Sequence, residues 1–425
     1  MRRQRWFAGW HLCSGLHMSS ADVGVPTHVL VELSNYAHLE AAYGEAFAVA
    51  AMGRLQWCVH MWGGSVFVIG PQCFLVGLSP SLLEVKFSRS LIERWQWALS
   101  TTPLDFGGVR ALPVVVVESL KISASVGLTE GRLRYPDELE RPNAAHPLPP
   151  VRVGKGWSVS YERDMEVALT FYRALEQGQA SLVFQPINQR GGSGAVLYQE
   201  ALLRLSTQSQ RPSFGPAQFV PALERLGLIR VLDYSVLSAV VSRLEVDPTA
   251  KLGCNLSALS LSADSWWESI LARLAAQPDV ALRLTIEITE TMPLVDIDAA
   301  CAFVRRLKGV GCRIALDDFG AGQSSLAFAH AVRPEVIKID SSFLHDARMD
   351  HSEFDQLYKL VAFCQTLAPY VVVEGIERAN DVELAAMARI GWLQGNYIDP
   401  PSSAKPPVRI CVLDAEELGY EYVKF

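Results

Sequence analysis

Between residues 200 and 394, one short apolar run after another carries a side chain suited to metal or phosphate at or near its end. AVLYQEALLRL carries Glu200, KLGCNLSA Asn255, LRLTIEITE Glu287, and RIALDDFG Asp317 and Asp318. EVIKID with Lys338, YVVVEGIE with Glu374 and WLQG with Gln394 follow. The steps between them are 55, 32, 30, 21, 36 and 20 residues, room for a crossover helix and the next parallel strand. Polar residues that recur at strand ends of a βα array converge on one rim of a barrel, where that fold builds its sites.

The rest of the chain fits around that array. A proline-rich polar stretch, TEGRLRYPDELERPNAAHPLPP, reads as a linker. A helical pattern over 162–179 then leads into the strand LVFQPIN, and the RGGSG turn joins it to the Glu200 strand. So short a connection predicts an antiparallel pair. Between later strands, apolar residues recur at helical spacing: Ile297, Ala300, Val304 and Leu307, then Phe354, Leu357, Val361 and Cys364, then Leu384, Met387 and Ile390. The predicted fold is α/β, a (β/α)8 barrel with one antiparallel strand, preceded by a small α+β domain. Strand-like runs at 28–33, 65–70, 73–78, 113–119 and 121–128, with one helical stretch over 39–57, outline that first domain. The expected segments are 1–26, a domain over 27–128, a linker over 129–160, the barrel over 161–410 and a tail over 411–425.

Charge and cysteine content narrow the function. A net charge of −7 argues against a nucleic-acid polymer as partner. It also means that an acid-lined site can hold an anionic phosphate only once cations have neutralised it. The eight cysteines show no CxxC spacing, as expected for reduced thiols in a cytoplasmic protein. No stretch approaches the roughly 20 apolar residues of a membrane span. The first 21 residues look like a poor secretory signal, interrupted by His11, Gly15 and His17, and are expected to be untargeted. Trp266-Trp267 is read as helix packing on the barrel rather than an exposed patch.

Each strand-end residue admits a bland reading as well. Glu200, Leu202 and Arg204 alternate onto one face, which offers metal and phosphate contacts or a plain ion pair. Asp317-Asp318 can serve two cations or simply form an acidic turn. Lys338 shares a face with Asp340, so a structural pair competes with a role beside phosphate. Glu374 can bind metal or act as general base, and Gln394 can only orient and hydrogen-bond. With oxygen donors and no His or Cys, the set suits Mg²⁺ or Mn²⁺, two of which about 3.5–4 Å apart can activate water for phosphoester hydrolysis.

These motifs resemble the EAL-domain family of cyclic di-GMP phosphodiesterases. FQPI, EALLR, NLSA, EITE, DDFGAGQSSL, IKID, EGIE and QG occur in family order from 184 to 395. The resemblance implies that Glu200, Asn255, Glu287, Asp317 and Asp318 bind two Mg²⁺ or Mn²⁺ ions. It implies Glu374 as general base, with Lys338 and Gln394 supporting the nucleophilic water. Gln185, Leu202, Arg204 and Glu377 would contact the dinucleotide, and Glu290 would steady the loop after DDFG, which couples the metal site to dimerisation. The implied activity is hydrolysis of cyclic di-GMP to linear pGpG by a homodimer formed through the barrel. A non-hydrolytic receptor signalling through a protein partner, or an unrelated metal barrel acting on another phosphoester, are the alternatives. Ala321, Gln323, Ser341, Leu205 and Asn396 depart from common family residues, and none is a metal ligand.

Residues 27–128 resemble a degenerate GGDEF domain, through VLVELSNYAHLEAAYG and ISASVGL. GPQCF replaces the signature turn and Ser34 a usual acid, and Gln72 and Cys73 cannot replace carboxylates on Mg²⁺. A regulatory rather than cyclase role is expected.

Overall fold

The computed structural model describes residues 28–78, 89–120, 155–191, 194–205, 216–262, 265–289, 294, 296–321 and 326–410. The first unit runs β1 (His28–Leu33), α1 (Tyr36–Tyr43), α2 (Glu45–Met61), β2 (Gly64–Val68), β3 (Cys73–Leu78) and α3 (Arg89–Thr101). A small hairpin of β4 (Leu104–Phe106) and β5 (Val109–Ala111) precedes β6 (Val115–Leu120). The sheet order is β2-β3-β1-β6, antiparallel throughout. Alternation in β1 sends Val29, Val31 and Leu33 into the core, as a two-residue period requires. The helix read over 39–57 is two helices. Gly44, at φ 91°, breaks it in a conformation that other residues resist. The strand read at 121–128 lies outside the described residues.

The barrel follows. Helix α4 (Lys155–Glu176) starts seven residues ahead of the expected 162 and packs Met165, Ala168, Phe171, Tyr172 and Leu175 inward. Then come β7 (Ala180–Gln189), β8 (Val196–Leu205), α5 (Pro216–Leu226), α6 (Ile229–Val246), β9 (Leu252–Ser257), α7 (Glu268–Ala275), α8 (Pro278–Ala281) and β10 (Leu284–Thr289). The ring continues through α9 (Ile297–Gly309), β11 (Arg313–Phe319), α10 (Leu326–Val332), β12 (Val336–Ile339), α11 (Ser341–Ala347) and α12 (His351–Leu367). It ends with β13 (Tyr370–Val373), α13 (Ala379–Met387), β14 (Trp392–Leu393) and β15 (Ser402–Arg409).

β8 through β14 run parallel, and β7 is antiparallel to both of its ring neighbours, β8 and β14. Eight strands therefore close, with the single reversed strand read from the RGGSG turn. β15 pairs with the same edge of β7 that β14 uses. Because both faces of a ring strand are covered, β10 reads LTIEIT with all but the last residue buried.

Two packing expectations change. In α13 the inward residues are Asp381 and Ala385, while Met387 is 62% exposed. Leu384 still packs on the core and Ile390, just past the helix, is buried as read from sequence, while Asp381 is buried in an ion pair with Arg348. Trp266 and Trp267 are both buried, but against more than the barrel. Trp97 of α3 stacks on Trp266 at 6.2 Å and lies 5.8 Å from Tyr234, so the first unit rests on the barrel through aromatic rings.

Candidate active site

Strand register assembles the site. Gln185 of β7 faces Glu200 of β8, Glu200 faces Gly253 of β9, and Asn255 faces Glu287 of β10. Thr289 then faces Asp317, after which the β11–β12 register shifts. Asp318 sits in that irregularity at φ 53°, so the two neighbouring acids point apart. Residues as far as 209 positions apart thereby meet in the barrel.

At the centre is a lysine with no exposed surface. The ammonium of Lys338 lies 3.0 Å from Glu200, 2.6 Å from Glu287, 2.9 Å from Asp317 and 2.7 Å from Glu374. The Lys338–Asp340 pair weighed from sequence is not formed. Asp340 instead caps α11, accepting from the Ser342 amide at 3.0 Å. Glu200 is the best satisfied of the acids. Its Oε1 accepts from Asn255 Nδ2 at 2.7 Å, and its Oε2 from Gln394 Nε2 at 2.6 Å and Lys338 at 3.0 Å.

Three buried carboxylates and the half-buried Glu374 around one ammonium leave excess negative charge, and the acids divide over it. Burial alone would raise Glu200, but Lys338 and the Gln394 and Asn255 amides hold it below the usual carboxylate range. Glu287 is pushed well above that range by burial and by Glu200. Glu374 and Asp317 are raised by burial against the pull of Lys338, and Asp318 rises to about 6 through burial and Asp317. Lys338 is driven well above its ordinary value by its acids, although burial opposes this. Without further cations, protons must balance the pocket.

Divalent ions fit it better. Asn255 Oδ1, both Glu287 oxygens, Asp317 Oδ1 and Gln394 Oε1 are buried and accept no hydrogen bond, the Lys338 ion pairs aside. Such acceptors cost about 1–3 kcal/mol each when unfilled. Ligand atoms of Glu200, Glu287 and Asp317 lie within 4.8 Å of one another, as do those of Asp317, Asp318 and Glu374. Two groups that share Asp317 and offer only oxygen suit hard cations.

The other expected residues divide. Gln185 joins the cluster, accepting from Gln394 Nε2 at 3.5 Å and donating to the Asp399 carbonyl at 3.1 Å. Leu202 and Arg204 lie further along β8. Arg204 is exposed and donates to the Leu203 carbonyl at 2.9 Å, away from the acids. Glu377, 58% exposed, meets Arg348 at 3.3 Å instead of the cluster. Glu290 lies outside the described residues.

Sequence reading missed Tyr198 and Gly253. Tyr198, two residues before Glu200 on the same strand face, is buried with its hydroxyl unpartnered, and burial and Glu287 raise its pKa well above normal. The same alternation that singled out Leu202 and Arg204 could have found it. A Cβ on Gly253 would overlap the Glu287 carboxylate and the Tyr198 ring. Gly253→Ala is therefore expected to displace Glu287, lowering stability by roughly 1–3 kcal/mol. Any turnover should fall about 10²-fold, as for a misplacement near 1 Å. Thermal melts and steady-state kinetics check this, and wild-type values in both would place Glu287 elsewhere.

The EAL domain family model matches residues 169–401, more than half of the chain. The chain belongs to the EAL domain family. Its EAL domain is 29% identical over 238 residues to the bifunctional diguanylate cyclase/cyclic di-GMP phosphodiesterase MucR of Pseudomonas aeruginosa, covering 55% of this chain and 34% of that protein. It is 25% identical over 297 residues to the cyclic di-GMP phosphodiesterase PdeB of Shewanella oneidensis, covering 66% and 35%. The chain thus spans about a third of the length of these curated relatives. Among solved structures, the PaMucR phosphodiesterase in complex with c-di-GMP aligns with TM-score 0.50 and 29% identity, over 57% of this chain and 99% of that one. An S helix-GGDEF-EAL structure of LapD from Vibrio cholerae aligns over 88% of this chain and 89% of that one, with TM-score 0.50 and 17% identity. That second likeness concerns the fold alone. Among the described residues, no helix is long and apolar enough to cross a membrane.

Proposed function

We propose that this chain hydrolyses cyclic di-GMP to linear pGpG, with two Mg²⁺ or Mn²⁺ ions held by Glu200, Asn255, Glu287, Asp317 and Asp318. The observation that carries the reading is the buried pocket in which Lys338 meets four carboxylates beside acceptor oxygens without donors. Family membership and relatives named as cyclic di-GMP phosphodiesterases support it.

Hydrolysis adds water across one phosphodiester: the water oxygen bonds to phosphorus, one ribose oxygen leaves, and each product oxygen ends with its proton. Glu374 takes the proton from water. It is held 2.7 Å from the Lys338 ammonium, and its ligand atoms lie within 4.8 Å of those of Asp317 and Asp318, so the base is fixed beside the metal-type acids. Lys338 holds Glu374 and Glu200 in fixed relation, and Gln394 locks the second Glu200 oxygen, so the acids are oriented before substrate arrives. The ions, when bound, supply the charge that activates water and offsets the phosphodiester. Gln185, Leu202, Arg204 and Glu377 are assigned to contact with the dinucleotide, and of these Gln185 joins the acid cluster through Gln394.

Residues 27–128 are assigned to a degenerate GGDEF-like domain with a regulatory role. The expected 129–160 linker, whose last six residues already belong to α4, joins it to a barrel over 161–410 that dimerises in the cytoplasm. The antiparallel sheet and the LapD fold likeness support the GGDEF-like reading. The end of β1 meets the β2–β3 turn, where Leu33 N donates to Gln72 O at 2.8 Å, yet Ser34, Gln72 and Cys73 bring no carboxylate there. Cyclase chemistry therefore lacks its metal ligands.

Incubating the purified protein with cyclic di-GMP and Mg²⁺ or Mn²⁺ should yield pGpG. No product with either metal over a range of concentrations would reject hydrolysis. Tight binding without turnover would make the protein a receptor.

A further inference from the structure

We propose that Arg348 and Asp381 are positioning residues that set the Glu374–Glu377 loop for catalysis. The inference rests on the phosphodiesterase reading of Glu374, and its geometry stands apart from the metal ligands. Asp381, the third residue of α13, has no exposed surface. It takes a two-pronged contact from Arg348, Nε to Oδ1 at 2.8 Å and Nη2 to Oδ2 at 2.7 Å. The same Oδ2 accepts the amides of Glu377 at 2.9 Å and Arg378 at 3.0 Å. Arg348 then reaches across the loop, with Nη1 at 3.3 Å from Glu377 Oε2 and Nη2 at 3.4 Å from the Gly375 carbonyl.

The opposite side of the loop is already fixed. Glu374 N donates to Ile339 O at 3.2 Å, and Ile376 N to Gln394 O at 3.1 Å. Gly375 turns at φ 72° with no room for a Cβ beside Ser341. On the other side, Arg348 holds the carbonyl of Gly375, the residue after Glu374. Nothing about helix packing requires a guanidinium to span Asp381, Gly375 and Glu377 at once. A planar fork with five donors can do so, and an ammonium cannot.

Arg348→Lys keeps a cation beside Asp381 and loses the span. It is compared with wild type, both as full chains, by kcat and KM for cyclic di-GMP with Mn²⁺, by thermal melting, and by amide exchange over 374–378. Expected is a fall in kcat of roughly 10–100-fold, the range for partners that orient reacting groups. KM should change less than kcat, because Gln185 and Arg204 are untouched although Glu377 loses its Arg348 contact, and exchange at Glu377 and Arg378 should accelerate. Wild-type kcat and exchange in the variant, with or without a lower melting temperature, would overturn the proposal and leave the pair purely structural. If wild type itself shows no turnover, the hydrolase reading fails separately, and faster exchange in the variant still supports the loop clamp.

Discussion

Lys338→Met is expected to destabilise the metal-free protein by roughly 3–5 kcal/mol at pH 8, the range for breaking a buried ion pair from one side. The ammonium is wholly buried and lies within 3.0 Å of four carboxylates, so its loss leaves only protons or divalent ions to balance them. The pH dependence follows from the direction of the acid shifts. Glu287, Asp317, Asp318 and Glu374 have folded pKa values above their unfolded ones, so the folded state binds more protons. Stability is therefore lost as pH rises from the unfolded carboxylate range through the folded values. Removing Lys338 raises those values further, so the deficit of the variant should be smaller at pH 5 than at pH 8. Denaturant unfolding of both proteins in chelator at the two pH values measures this, and added Mn²⁺ should narrow the gap at pH 8. Equal deficits at both pH values would mean that Lys338 does not balance these acids.

The same lysine marks how far the sequence could be read. Period and spacing were enough to put Glu200, Asn255, Glu287, Asp317 and Glu374 on or just after strands of one parallel ring, although Glu200 lies in the middle of β8 rather than at its end. The reversal at β7 was legible too, since RGGSG is too short for a crossover. What could not be read was which partner each side chain selects. Asp340 was the nearest acid in sequence to Lys338, yet it caps a helix, while the partners of the lysine lie on or just after four other strands. Asp381 shows the same limit in a helix. Apolar periodicity placed Leu384, Met387 and Ile390 inward; Ile390 is buried and Leu384 packs on the core, but Met387 stands in solvent while Asp381, paired with Arg348, is buried. Gly253 left no trace in pattern reading, because its role is the absence of a side chain where Glu287 must fit.

Glu200→Ala should have the opposite profile to Lys338→Met: turnover lost, fold retained. Removing this carboxylate takes away the acceptor of Asn255 Nδ2, Gln394 Nε2 and Lys338, which leaves donors unfilled at about 1–3 kcal/mol each. It also removes one of four acids crowded on a single ammonium, and after burial the charge of Glu200 is the next cause of the raised pKa of Glu287. The two effects oppose each other, so metal-free melting should stay near wild type while Lys338 keeps its three remaining acids. Catalysis has no such compensation. Both the acid group shared with Glu287 and Asp317 and the Gln394 contact disappear, and pGpG formation should drop at least roughly 10²–10³-fold, as when a preorganised charge-stabilising group is lost. Glu200→Gln should not rescue it, because one end of the amide is itself a donor facing donors. Mn²⁺ titration followed by melting adds a readout independent of turnover: wild type should gain stability with metal, and Glu200→Ala should gain much less. An active Glu200→Ala protein with an undiminished metal response would remove this carboxylate from the site.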